Sequence, residues 1–321
     1  MGMGRKAVRK TQALTENSQK SSAKGGIMKT LIGAFLVPVA LMIVLGVVSY
    51  NTASSGILSK YNESAMSTVS AMGDYCSLLC DSISAKALEV STSNTLIDYY
   101  NFVKQNRQDY TVMEAMRDSR TVITNAKSIN KYMYSCSIIP EYGSYITTLQ
   151  GTLTEDPFND FLSTTEGKYF TDNPTIKNRW MGYHTYLDEN LNSSPDKYAL
   201  AFYQKVLQSN TTIVMDISMP VIMDMLSKMD LGEGSIRALI TSDGREIVSI
   251  QGNGEEETEA EGVYFVGTSF FEETRAAEEA GSMEVMSGQE KYVYVYTPVG
   301  KTGIMICALI PKNSLLKQVE S

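Results

Sequence analysis

Thr211-Thr212-Ile213-Val214-Met215-Asp216-Ile217-Ser218-Met219-Pro220-Val221-Ile222-Met223-Asp224-Met225-Leu226 passes from strand to helix in one step. The first seven residues are rich in β-branched side chains and read as a strand. Met219 to Met229 then reads as a compact helix, with Pro220 in its first turn, where a missing N–H does no harm, and Leu231-Gly232 as its end. A strand that closes one group of elements thus runs straight into a helix that opens another, so the fold is expected to contain two successive units.

Downstream, Ser235 to Ser242 reads as a strand, Asp243-Gly244 as a hairpin turn with positive φ at both positions, and Arg245 to Ile250 as the returning strand. Lys291 to Thr297 places Tyr292, Tyr294 and Tyr296 on one face, and Ile304 to Ile310 is apolar enough for a central strand, with Gly300-Lys301-Thr302-Gly303 turning one into the other. The acidic run Glu255, Glu256, Glu257, Glu259 and Glu261 reads as a solvated loop; a calcium loop is the competing reading, but it lacks EF-hand spacing.

Upstream, Tyr198 to Leu207 pairs with Thr211 to Ile217 across a turn at Asn210, and Trp180 to Leu187 reads as a further strand. Asp156 to Asn178 is loop and short helix. Tyr132 to Ile139, ended by Pro140, forms a hairpin with Tyr145-Ile146 through Gly143-Ser144. Before these, Ile57, Tyr61, Ala65, Val69, Met72, Cys76, Leu79, Ile83 and Leu88 recur at three- and four-residue intervals, which predicts one long helix from Asn51 to about Gln105. A second helix is expected from about Met113 to Asn130, with Val122, Ile123 and Ala126 facing inward.

Leu31 to Val48 is an uninterrupted apolar run without charge. About 20 helical residues span the roughly 30 Å hydrocarbon core, so this run is expected to cross a membrane once. Pro38 is tolerable there. Arg5, Lys6, Arg9, Lys10, Lys20, Lys24 and Lys29 precede it against a single Glu16, which marks the N-terminal side as cytoplasmic and the bulk as extracytoplasmic. A cleaved signal peptide is the competing reading, with small residues at Asn51 to Ser55, but the apolar core is longer than such signals use.

The chain has 321 residues and a net charge of −8; seven of its 28 basic and one of its 36 acidic residues lie before the apolar run, leaving −14 beyond it. Such a surface disfavours nucleic acid and anionic lipid as partners. Four cysteines sit at no zinc spacing. Buried thiols are the favoured reading, with a Cys136–Cys307 disulfide left open and the status of Cys76 and Cys80 undecided. His184 is the one histidine, no Gly-x-Ser-x-Gly elbow, phosphate loop or Gly-x-Gly-x-x-Gly is present, and a multi-histidine metal site is impossible. No catalytic residue, metal or cofactor is therefore expected. Three sequons, at Asn62, Asn192 and Asn210, matter only in a glycosylating host.

The membrane helix, the long helix and the two helix-plus-sheet units resemble the double-Cache sensor family, whose modules are PAS-like. The residues that carry the likeness are Val214 to Ser218, Ile240 to Val248, Tyr296-Thr297-Pro298-Val299, Thr302-Gly303 and Ile310-Pro311, with Trp180-Met181-Gly182 in the first unit. The implied fold is α+β: an N-terminal transmembrane helix, a long stalk helix and two tandem PAS-like units with antiparallel sheets. The expected divisions are a cytoplasmic tail 1–29, a membrane helix 30–50, the long helix with a membrane-distal unit 51–218, a membrane-proximal unit 219–312 and a segment toward the membrane 313–321.

The resemblance implies small-molecule sensing in a chemoreceptor or sensor kinase at the cell membrane. It also implies a ligand site of Arg179, Trp180 and Asp216, with Tyr183 and Tyr203 beside them. Arg179 would pair with a ligand carboxylate, Asp216 with an ammonium, and Trp180 would form an apolar wall. The family's amino-acid-binding branch has one residue between the arginine and the tryptophan and an aromatic where Met181 stands; here Arg179 and Trp180 are adjacent, so the ligand is left as an amino acid or small carboxylate. The partners are that ligand and the membrane, with a homodimer left open. An output module, expected in this family, is not among these residues. A cell-surface binding or adhesion protein is the competing reading.

Overall fold

The structure, a computed structural model, describes residues 4–206, 209–252, 257–259 and 262–312. The chain divides into Met1–Lys60 and Tyr61–Ser321. Helix α1 (Gly4–Ser91) begins in the first part and contains Pro38. Its apolar window has a mean hydropathy of 2.3 and is wholly unburied; among the described residues it is the one stretch long and apolar enough to cross a membrane. Phe35 and Met42 are more than two-thirds exposed, an arrangement stable in hydrocarbon and costly in water.

Within Tyr61–Ser321, α1 buries Ala65, Val69, Cys76, Leu79, Cys80, Ile83, Ala87 and Val90 as one stripe. The helix ends at Ser91 instead of continuing to Gln105. Ser91 Oγ and Thr92 Oγ1 both donate to the Leu88 carbonyl at 2.8 Å, offering the backbone an alternative to the helical ladder, and extended Ser93 caps α2 (Asn94–Lys104). Helix α3 (Tyr110–Ile129) follows, with the Asp109 carboxylate accepting from the Val112 N–H.

Next come β1 (Met133–Pro140), β2 (Ile146–Thr147), α4 (Pro157–Ser163), α5 (Thr165–Asp172), β3 (Asn178–Met181), α6 (Thr185–Asn190), β4 (Tyr198–Val206) and β5 (Thr211–Ser218). The strands form an antiparallel sheet in the order β2-β1-β5-β4-β3. The β1–β2 hairpin and the β4–β5 pair match the sequence reading, with Asn210 taking a positive φ of 45° at the turn. The expected strand through Leu187 does not form. After Met181 the chain turns at Gly182, whose N–H and carbonyl bond Asp243 and Arg245 instead of a strand, and coils into α6, which buries Tyr186 and Leu187.

The second group is α7 (Met219–Ser227), β6 (Ile236–Ile240), β7 (Glu246–Gln251), β8 (Glu257–Glu259), α8 (Ser269–Thr274), β9 (Gly281–Ser287), β10 (Glu290–Pro298) and β11 (Met305–Pro311). Its sheet runs β8-β7-β6-β11-β10-β9, so β11 is central as expected. Helix α7 touches β4 and β5 of one sheet and β6 and β7 of the other.

The β6–β7 turn differs from expectation in type. Only Gly244 has positive φ, at 87°, while the Gly244 N–H donates to the Thr241 carbonyl at 3.0 Å and the Thr241 N–H to that of Arg245 at 2.9 Å. This is a three-residue loop closed by a left-handed glycine. Most of the acidic run, and with it the calcium reading, lies outside the described residues, as does 313–321. All four cysteines are free and buried. Cys136 lies in the first sheet and Cys307 in the second, and burial pushes both thiols up, Cys307 to about 12.

Candidate ligand site

Register assigns the site residues to faces. Arg179 lies opposite Tyr203, and Tyr203 opposite Val214, while Met181 lies opposite Ala201 and Ala201 opposite Asp216. Residues two apart on a strand share a face, so Arg179, Tyr203 and Asp216 project to the same side, toward the core of Phe158, Phe161, Phe170, Met181 and Tyr186. Strand spacing places the Arg179 and Asp216 Cα atoms about 12 Å apart.

Trp180 belongs to the other face. It pairs in register with Phe202, and their ring centroids are 4.8 Å apart. The expectation that Trp180 walls the same site as Arg179 is corrected by this alternation: adjacent strand residues cannot share a face.

Asp216 is wholly buried. Its Oδ2 accepts from Ser135 Oγ and lies 3.1 Å from His184 Nε2, while its Oδ1 has no partner. The other ring nitrogen, Nδ1, lies 3.2 Å from Asp188 Oδ1 in an ion contact too bent for a hydrogen bond. Tyr198 completes the group: its ring stacks on the imidazole at 3.8 Å, and its hydroxyl donates to Asp188 Oδ2 at 2.7 Å while the hydroxyl oxygen accepts from the His184 backbone N–H at 3.1 Å.

With a carboxylate at each nitrogen the ring is held as an imidazolium. Burial disfavours its charge, but Asp216 and Asp188 outweigh burial and push its pKa up to about 10. Asp188 feels the opposite balance: burial raises its pKa, but the adjacent His184 charge and the Tyr198 hydroxyl bond outweigh burial, for a net decrease. Asp216 Oδ1 is left as an open buried acceptor, so a donor or cation is the chemistry it can receive. The Ser135 hydroxyl bonds to Asp216 and not to the ring, so the three do not form a nucleophile–base relay.

The remaining expected residues stand around this cluster. The Arg179 guanidinium sits 3.5 Å over the Tyr169 ring and reaches Ser242 Oγ at 3.4 Å. Tyr203 is buried between Phe161 and Phe170 and donates to the Tyr183 carbonyl at 3.2 Å; burial drives its pKa well upward. Tyr183 itself is 40% exposed, its ring facing Arg245. His184, Asp188, Tyr198 and Ser135 were not singled out as site members from the sequence. The i, i+4 spacing of His184 and Asp188 was the available signal, since it sets both on one face once α6 forms.

No family model matches the sequence, and no curated protein matches it either. Solved structures do. The extracellular domain of rpHK1S-Z16, a protein named as a histidine kinase, superposes with a TM-score of 0.54 at 13% identity, over 81% of this chain and 98% of that one. The ligand-binding domain of Mlp24 with asparagine gives 0.52 at 14% identity, over 84% and 99%. The sensory domain of the Campylobacter jejuni chemoreceptor Tlp3 with isoleucine gives 0.52 at 9% identity, over 82% and 97%. The chain has the double-Cache fold. In double-Cache terms, the first sheet carries the His184–Asp216 cluster, and the second begins at α7, the helix that touches both sheets.

Proposed function

We propose that the chain is the extracytoplasmic, non-enzymatic sensing part of a membrane-bound signal transducer of the chemoreceptor or sensor-kinase type. It takes an amino acid or small carboxylate in the membrane-distal unit, 51–218, above a membrane-proximal unit, 219–312. A single span, with its basic flank in the cytoplasm, anchors it. The observation that carries the reading is the unpartnered Oδ1 of wholly buried Asp216, on the sheet face shared with Arg179 and Tyr203. Asp216 receives a ligand ammonium beside the His184 imidazolium, Arg179 swings from Tyr169 to a ligand carboxylate, and Tyr203 lines the space between. The likeness to domains holding asparagine and isoleucine supports this. Signalling is a displacement of α1 between two arrangements that bind the ligand unequally.

The test is a thermal-shift and titration-calorimetry screen of the full chain in nanodiscs against the proteinogenic amino acids and small carboxylates. A ligand at about 100 times its Kd adds about 2.7 kcal/mol of stability. Arg179→Ala and Asp216→Asn should each abolish the heat. A screen with no heat, or retained binding in both variants, overturns the reading. Protease protection in intact cells tests the orientation: digestion of the C-terminal part from outside is expected.

A further inference from the structure

We propose that the Thr241–Arg245 turn of the second unit positions the ligand site of the first, with Asp243 and Arg245 as positioning residues acting through the Gly182–His184 backbone. The inference rests on the reading of the Asp216 face as a ligand site.

Two opposite charges grip one short segment from either side. The Asp243 carboxylate accepts the Gly182 N–H with both oxygens, at 2.8 and 3.0 Å. Arg245, nearly buried, donates to the Gly182 carbonyl at 2.5 Å and to those of Tyr198 at 3.0 Å, Ala199 at 3.3 Å and Pro195. Ser242 Oγ adds a bond to the Trp180 carbonyl at 3.2 Å. The turn thus bonds backbone groups at 180, 182, 195, 198 and 199.

Those backbone groups belong to the residues that set the imidazole. His184 follows Gly182 by two positions, and Tyr198, whose carbonyl Arg245 holds, stacks on the ring and bonds Asp188. Arg245 also lies over the Tyr183 and Tyr198 rings, at 4.9 and 5.2 Å. The approach at Gly182 leaves no slack, since a Cβ there would lie 2.6 Å from Arg245 Cβ and 2.7 Å from Thr241 Oγ1. A displacement of the turn therefore moves Gly182 and Tyr198, and through them both walls of the imidazole. By reciprocity, a ligand that moves His184 shifts the turn, and with it β6 and β7.

The single histidine gives a reporter without assignment ambiguity. Full chain carrying ¹³C,¹⁵N-histidine in nanodiscs is titrated by NMR as wild type, Asp243→Asn, Arg245→Met, Arg245→Lys and Cys307→Ala, the last a core change in the second sheet. Asp243→Asn and Arg245→Met are expected to move the imidazole signals and to lower their titration midpoint; charge alone would lower it in Asp243→Asn but raise it in Arg245→Met, so a fall in both reports displacement of the ring from its carboxylates. Arg245→Lys, keeping the charge but not the fork, should fall between them and wild type. Cys307→Ala should lower the melting temperature and leave the signals in place. Imidazole signals superimposed on wild type in folded Asp243→Asn overturn the proposal, as does an equal displacement in Cys307→Ala. Should Arg245→Met not fold, Asp243→Asn decides alone, since it changes charge and not shape. No ligand enters the measurement, so a blank ligand screen overturns the sensing reading and leaves this result standing.

Discussion

The Gly182 N–H is shared between both carboxylate oxygens of Asp243, 61 residues away in sequence and on the other sheet's hairpin. The bond requires residue 182 to lie against the turn, and any side chain there would overlap Arg245 and Thr241. Gly182→Ala is therefore expected to cost about 1–3 kcal/mol through overpacking. At about 2–4 °C per kcal/mol for a unit of this size, the loss is readable by differential scanning fluorimetry. An unchanged melting temperature would show that the two sheets separate freely at this contact.

Stability should depend on pH with a defined sign on each side. His184 is pushed from 6.5 up to about 10, by its two carboxylates against burial, so its contribution is complete below pH 6.5 and is lost as pH rises toward 10. Asp188, net lowered, contributes above its ordinary 3.8 and loses that contribution as pH falls through its depressed value. Melting temperature measured across this range should show a plateau on the mildly acid side and an alkaline decline beginning near pH 6.5. His184→Gln should remove the slope between about pH 6.5 and 8.5, below the range where the buried thiols add their own alkaline loss, and a slope that survives there in that variant assigns the titration to other groups.

Asp216→Asn removes the carboxylate from one side of the imidazolium. Breaking a buried pair by deleting one partner costs about 3–5 kcal/mol, because the other charge stays behind. The variant should melt lower at pH 6 than wild type, and the deficit should shrink at alkaline pH, where wild type also loses the imidazolium. A deficit independent of pH would mean that the residue acts through its shape and its bond to Ser135 alone.

The tandem layout was legible because it is written in local signals: Pro220 inside a helix start, β-branched runs, glycines at Gly232 and Gly244. What escaped was decided elsewhere in the chain. Trp180 to Leu187 reads as one strand, yet pairing with β4 ends at Met181, where Gly182 bonds Asp243 and Arg245 of the other sheet's hairpin and the chain coils into α6. Helix α8, six residues long, carries too little periodicity to stand out, and β9 alternates in exposure along Gly281–Ser287 but has few β-branched residues to mark it. For the candidate site, Arg179, Tyr203 and Asp216 are named only by a family resemblance. The His184 cluster is not readable from the sequence, because its partners at 135, 188, 198 and 216 come from four elements that only the folded sheet brings together.

Trp180 provides the sharpest separation between packing and binding. Its ring lies against Phe202 on the face opposite Asp216, and it is 5% exposed. Trp180→Ala removes a large buried aromatic and is expected to cost about 3–5 kcal/mol. The milder Trp180→Leu retains part of the apolar volume, so the protein stays folded while its melting temperature drops. Calorimetry on folded Trp180→Leu, with whichever amino acid or carboxylate wild type binds, should return the wild-type Kd, whereas Arg179→Ala should not. A Kd weakened in Trp180→Leu as much as in Arg179→Ala would place the indole in the site after all and require β3 to twist so that residues 179 and 180 reach the same space.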